Sequence, residues 1–219
     1  MVGTKVLLIY TGGTIGMIKD SETRVLKPFD FEQIKKEVPE LNKFECEIDT
    51  FSFEYPLDSS NMKPEVWVRI AEIIEDNYAE YDGFVILHGS DTMAFTASAL
   101  SFMLHGLNKP VILTGSQLPI GTIRTDGKEN LITAIEIAAA KKANNPLVPE
   151  VAIYFEYNLY RGNRTTKVNS EDFEAFDSFN YPLLAEAGIK IKYNTRNILE
   201  VDTESKLNVF NVFDRNVAS

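Results

Sequence analysis

Cysteine and histidine are nearly missing from this 219-residue chain, which has one Cys (Cys46) and two His (His88 and His105). A lone thiol cannot close an internal disulfide, and without a Cys/His cluster a transition-metal site has no ligand set to draw on. Positive charge is also short. Against 32 Asp and Glu stand 22 Lys and Arg, a net charge of -10, which opposes binding to nucleic acid or to an anionic membrane surface. No apolar run reaches membrane-spanning length. Residues 1–5 lead straight into the first apolar strand, leaving no space for the zones of a secretion signal. These absences predict a cytoplasmic protein whose partner is a small molecule.

What is present suffices for a globular core: 44% of the residues are hydrophobic and 25% charged. The organising stretch is the apolar run Val6-Leu7-Leu8-Ile9-Tyr10, which passes into Thr11-Gly12-Gly13-Thr14-Ile15-Gly16. Such a run, bounded by glycines, is the signature of a strand buried on both faces of a parallel sheet. The glycines permit backbone torsions and close approaches that a Cβ would forbid, and what they present is Thr14. On this stretch alone three readings stand: an ordinary strand-to-loop turn, a phosphate-cradling turn, or a hydroxyl nucleophile at a strand's carboxyl end.

The pattern then repeats. A polar loop over 17–28 sits beside the candidate strand end, where a lid would lie. Asp30 with Gln33 resembles a capping box for a short helix that Pro39 stops. Residues 44–53 alternate, with Phe44, Cys46 and Ile48 on one face, and predict a second strand. It leads into Asp58-Ser59-Ser60-Asn61, after which Pro64 opens an amphipathic helix. Phe84-Val85-Ile86-Leu87-His88 is the next buried strand and ends in Gly89-Ser90-Asp91-Thr92. The helix after it, with Phe95, Leu100, Phe102, Met103 and Leu104, is too apolar to face water and should pack on the sheet, with an interface as a further use. Val111-Ile112-Leu113-Thr114 closes in Gly115-Ser116-Gln117. A polar loop over 121–130 and a helix from Leu131 to about Lys142 come next, then the strand Val151-Ala152-Ile153-Tyr154-Phe155 and the polar turn 161–167. Alternating strands and helices predict right-handed βαβ crossovers and a parallel sheet. Beyond Lys167 the expectation is a loop pinned by Phe173, Phe176, Phe179 and Tyr181, a short helix or turn over 182–188, and a strand over 207–213.

Strand ends thus deliver hydroxyls and a carboxylate to one rim: Thr14, Ser59 with Ser60, Ser90 with Asp91, and Thr114 with Ser116, with Lys167 in reach. A Ser-Asp-Lys set can relay a proton without histidine, and His88, inside its apolar strand, reads as a packed structural residue. The stretches Tyr10-Thr11-Gly12-Gly13-Thr14-Ile15-Gly16, His88-Gly89-Ser90-Asp91-Thr92-Met93, Leu113-Thr114-Gly115-Ser116-Gln117 and Arg161-Gly162-Asn163-Arg164-Thr165-Thr166-Lys167 resemble, in order and spacing, the bacterial-type L-asparaginases, with the cytoplasmic type I branch the best match.

The resemblance implies a three-layer α/β/α domain with a flavodoxin- or Rossmann-like parallel sheet over 1–190. Residues 191–219 would then lead to a smaller C-terminal α/β domain lying outside this chain. It implies hydrolysis of L-asparagine to L-aspartate and ammonia through an acyl-enzyme on Thr14, with Ser90, Asp91 and Lys167 as the opposing catalytic set. Asp58, Ser59, Ser60, Ser90 and Asp91 would hold the substrate. No cofactor and no metal are implied, and the full-length enzyme would be a homodimer or homotetramer. The alternative is a non-catalytic ligand-binding or regulatory fragment of the same fold. Two departures from the family pattern are visible: serine stands at position 90 where threonine is usual, and no tyrosine occurs between Gly16 and Pro28.

Overall fold

The computed structural model describes residues 3–19, 26–27, 31–170, 173–202 and 204–211. Eight strands form the central sheet: β1 (Lys5–Gly12), β2 (Glu47–Leu57), β3 (Gly83–Leu87), β4 (Val111–Thr114), β5 (Val151–Phe155), β6 (Asn158–Arg161), β7 (Ala185–Ala187) and β8 (Ile191–Tyr193). Their spatial order is β2-β1-β3-β4-β5-β6-β7-β8. The first five neighbours pair in parallel, and the last three strands join antiparallel. The order 2-1-3-4-5 has its reversal between β1 and β3, so the crevice for a ligand opens at the carboxyl ends of those two strands.

Among the described residues four α-helices cover the sheet: α1 (Phe31–Glu37), α2 (Pro64–Asn77), α3 (Met93–Met103) and α4 (Gly127–Ala139). The alternation of strand side chains decides which helix each residue meets. Val6, Leu8, Tyr10, Val85, Leu87 and Ile112 share one core with Ile34 of α1 and Leu131, Ile135 and Ile137 of α4. Leu7, Ile9, Phe84, Ile86 and Leu113 share the other with Ile70, Ile73 and Ile74 of α2 and Ala97, Leu100 and Met103 of α3. Both faces of β3 are covered and all five of its residues are buried, each large side chain contributing about 1.5–3 kcal/mol of transfer free energy. The expected three-layer architecture is therefore present, on a mostly parallel sheet.

Several local expectations meet a different outcome. The helix expected from Leu131 begins at Gly127. Before the expected polar turn 161–167, which forms the end of β6, a 3-10 turn over Gly162–Arg164 and a short pairing at Thr166–Lys167, lies an unforeseen tight hairpin: Glu156 and Tyr157 adopt φ of 45° and 67°, the left-handed pair that suits a two-residue connection, and β6 returns antiparallel. Residues 185–187 pair as a strand instead of coiling. In the aromatic loop, Phe176 is buried and Tyr181 packs under the Arg161 guanidinium at 4.2 Å, whereas Phe173 and Phe179 are exposed. α3 does pack on the sheet, but Phe95 and Phe102 point outward. The expected capping residue Asp30, positions 20–25 and 28 of the polar loop and residues 212–213 lie outside the described residues. Among the described residues no helix is long and apolar enough to cross a membrane.

Candidate active site

Glycines let three strand ends touch. Gly12 has φ 137°, and a Cβ there would fall 2.0 Å from the Leu57 carbonyl at the end of β2. Gly13, at φ 88°, leaves no room for a Cβ either, which would sit 2.5 Å from the Gly89 nitrogen. Gly89 in turn lies against Ser59, whose Oγ would be 2.5 Å from an added Cβ. Side chains at 12, 13 and 89 would force β1, β2 and β3 apart. Their absence brings the turns that carry Thr14, Ser59 and Ser90 together on one rim at the switch point.

Thr14 opens a 3-10 turn over Thr14–Gly16 and is half-buried. Asp58 caps the turn Ser59–Asn61, its Oδ1 accepting from both the Ser60 N–H and the Ser60 hydroxyl at 3.0 Å. Those two bonds hold the exposed Asp58 carboxyl below the usual range, and they turn the Ser60 hydroxyl toward Asp58. Ser59 is buried, and its carbonyl accepts from the Thr92 hydroxyl at 2.7 Å. Opposite, the Lys167 ammonium donates to Asp91 Oδ1 at 2.7 Å and to Ser90 Oγ at 2.9 Å. A two-residue pairing, Lys167 against Phe176, holds that lysine, and Phe176 is itself wedged edge-on to Phe155 at 5.0 Å. Thr114 and Ser116 are not on the rim. Both are buried, donating to the Tyr154 carbonyl at 2.8 Å and the Leu118 carbonyl at 2.6 Å, because strand interior and tight turn consume hydroxyls that the motif made look available.

His88 is fully buried, and desolvation lowers its pKa to about 4 against the smaller opposing effect of the Gly89 carbonyl, so the ring is neutral at pH 7. Its Nδ1 lies 2.7 Å from the Gly89 carbonyl, an acceptor only, so Nδ1 carries the proton. Nε2 then accepts from the Thr96 hydroxyl at 2.9 Å, and Trp67 Nε1 donates to the same oxygen at 3.0 Å. The reading of His88 as structural holds, with one addition: it fixes the peptide plane immediately before Ser90. Gln117 is a further contact that sequence reasoning passed over, its Oε1 lying 3.5 Å from Ser90 Oγ. Its signal was the place of Ser116-Gln117 after a parallel strand, where a side chain reaches the same rim.

Fold and rim together define a doubly wound α/β domain with hydroxyl, carboxylate and lysine groups gathered at its switch point. The family model described as "Asparaginase, N-terminal" matches residues 5–199, and the chain belongs to that family. It is 49% identical over 188 residues to L-asparaginase 1 of Escherichia coli K12, covering 85% of this chain and 54% of that protein. It is 41% identical to the mouse 60 kDa lysophospholipase, over 97% of this chain and 41% of the relative. Among solved structures, L-asparaginase I of Vibrio cholerae superposes with a TM-score of 0.82 at 43% identity, covering 94% of this chain and 61% of that one. The L-asparaginase of Thermococcus kodakarensis gives 0.85 at 33% identity, covering 97% and 62%. The chain spans about half the length of the curated relatives it matches.

Proposed function

We propose that this chain is the N-terminal, nucleophile-bearing part of a cytoplasmic L-asparaginase that converts L-asparagine to L-aspartate and ammonia. The observation that carries the reading is the Lys167 bridge between Ser90 and Asp91, on the rim that also bears the Gly12-Gly13-Thr14 turn. Thr14 Oγ attacks the carboxamide carbon, its hydroxyl proton passes to the amide nitrogen, the C–N bond breaks and ammonia leaves. Water then adds to the β-aspartyl ester and its C–O bond breaks, returning the Thr14 hydroxyl. Asp91 pairs with the substrate ammonium, and Asp58, Ser59 and Ser60 take the α-amino acid end from the other side. Backbone N–H groups at the Thr14 and Ser90 turns supply the oxyanion donors. The Gly89 carbonyl is turned to the buried His88 ring, so in a trans peptide the Ser90 N–H points the opposite way.

Of the expected linker 191–219, Ile191–Tyr193 form β8 of the sheet; the residues after them serve as the connection to a second, smaller domain, and the complete protein is a homo-oligomer. Half the pocket comes from that domain, so residues 1–219 by themselves fold yet turn over asparagine poorly, because positioning supplies a large part of the barrier reduction. Ammonia release from L-asparagine by the complete protein is the test. Thr14→Ala should abolish it by roughly 10³-fold or more. Near-normal kcat in that variant would move the nucleophile to Ser90, and no release by the wild type would favour a non-catalytic ligand-binding role. For residues 1–219, a cooperative thermal melt without turnover supports the reading, and turnover equal to that of the complete protein sinks it.

A further inference from the structure

Behind Ser90 lies a second layer of polar groups that the proposed mechanism leaves unused. Asp126 is only 7% exposed, and its partners are neutral donors: the Gln117 N–H at 2.8 Å on Oδ2, the Leu118 N–H at 3.1 Å on Oδ1, and Asn130 Nδ2 at 3.3 Å on Oδ2. Asn130 has no exposed surface. Its amide also donates to the Gly115 carbonyl at 3.0 Å, and its Oδ1 accepts the Glu156 N–H at 3.1 Å. The connection after β4 is therefore clamped at Gly115, Gln117 and Leu118 by two side chains from the start of α4, and tied through Asn130 to the β5–β6 hairpin.

Burying a carboxylate without a cation costs stability. Desolvation is the leading effect on Asp126 and lifts its pKa despite the N–H groups that oppose it. A turn of this kind closes with neutral partners at lower cost, so the charge calls for a use beyond folding. Gln117 supplies one. Ser90 Oγ accepts from Lys167 at 2.9 Å, and its proton has Gln117 Oε1 as acceptor at 3.5 Å, the outer limit of hydrogen-bond distance. At that limit, a few tenths of an ångström in the Gln117 backbone decide whether the Ser90 proton is held away from the rim or swings into it.

Resting on the asparaginase reading above, we propose that Asp126 is a positioning residue. Braced by Asn130, it sets Gln117 so that the amide oxygen accepts the Ser90 O–H hydrogen bond and leaves a Ser90 lone pair facing the substrate.

A double-mutant cycle on the complete protein tests this, with Gln117→Ala, Asp126→Asn and the pair, reading kcat and KM for ammonia release separately. Each single change should lower kcat roughly tenfold with KM within about threefold, and the pair should fall no further than the worse single, because both act through one bond. Multiplicative losses overturn the proposal, as does an effect confined to KM or to the melting temperature. If the wild type releases no ammonia, the asparaginase reading fails, and amide exchange then decides the clamp. Asp126→Asn should speed exchange at Gln117 and Leu118 by roughly tenfold or more while residues 84–87 stay protected. Faster exchange across the whole sheet would overturn it.

Discussion

Lys167 and Asp91, 76 positions apart in sequence, stand with Nζ and Oδ1 separated by 2.7 Å, and the same ammonium reaches Ser90 Oγ at 2.9 Å. The lysine side chain is 14% exposed and the aspartate 65%. At that exposure an ion pair contributes about 0–1 kcal/mol to stability. Replacing Lys167 by Met should thus leave the melting midpoint nearly unchanged while, on the proposed mechanism, activity in the complete protein falls by roughly 10²-fold or more, because a Ser-Asp-Lys relay without its cation cannot move the proton. Parallel thermal melts and ammonia assays check both halves, and a variant that keeps its activity would remove Lys167 from the catalytic set.

Gly13 carries a purely steric prediction. At φ 88°, with a Cβ position 2.5 Å from the Gly89 nitrogen, alanine there combines an unfavourable backbone conformation with a backbone collision. Gly13→Ala should cost at least about 2 kcal/mol, measured by urea unfolding, and should move Thr14 relative to Ser90. Unchanged stability would show that β1 and β3 can separate without penalty.

At position 90 the serine hydroxyl is shared between Lys167 and Gln117. A β-branched residue restricts that rotamer, so Ser90→Thr should give a kcat equal to or a few-fold above that of the wild type. A strong loss would mean that the surroundings have packed around serine.

His88 predicts a pH dependence of stability. Its folded pKa is about 4, below the ordinary 6.5, so between those values the unfolded chain binds a proton that the folded one refuses. Stability therefore rises with pH through that window and is lost as pH falls from about 6.5 to about 4, by roughly 3 kcal/mol in all. His88→Gln should flatten this part of the profile in melts at stepped pH, and an unaltered slope would assign it to other groups.

The individual strands of the parallel core were legible from sequence because their signals are local. A run of β-branched and large apolar residues such as 84–87 excludes water on both faces wherever it ends up. Glycines at 12, 13 and 89 announce turns whatever strand lies beside them. Legibility stopped where a hydroxyl's partner lies far along the chain. Thr114 and Ser116 looked like rim residues from their motif, yet their bonds to the Tyr154 and Leu118 carbonyls bury them. The β5–β6 hairpin was hidden because Glu156 and Tyr157 adopt left-handed torsions without a glycine to signal them.

By itself, then, the sequence determined which segments are strands and helices in the parallel core, which turns carry hydroxyls and carboxylates, and the excess of acidic over basic residues. Each depends on residue type and short-range periodicity. Only the tertiary structure decided that β1 lies between β2 and β3, that the Gly13 and Gly89 backbones abut, that Lys167 spans Ser90 and Asp91, and that Asp126 clamps Gln117. Strand order and the reach of one side chain to another arise from packing two apolar sheet faces against four helices, and no window of neighbouring residues contains that choice.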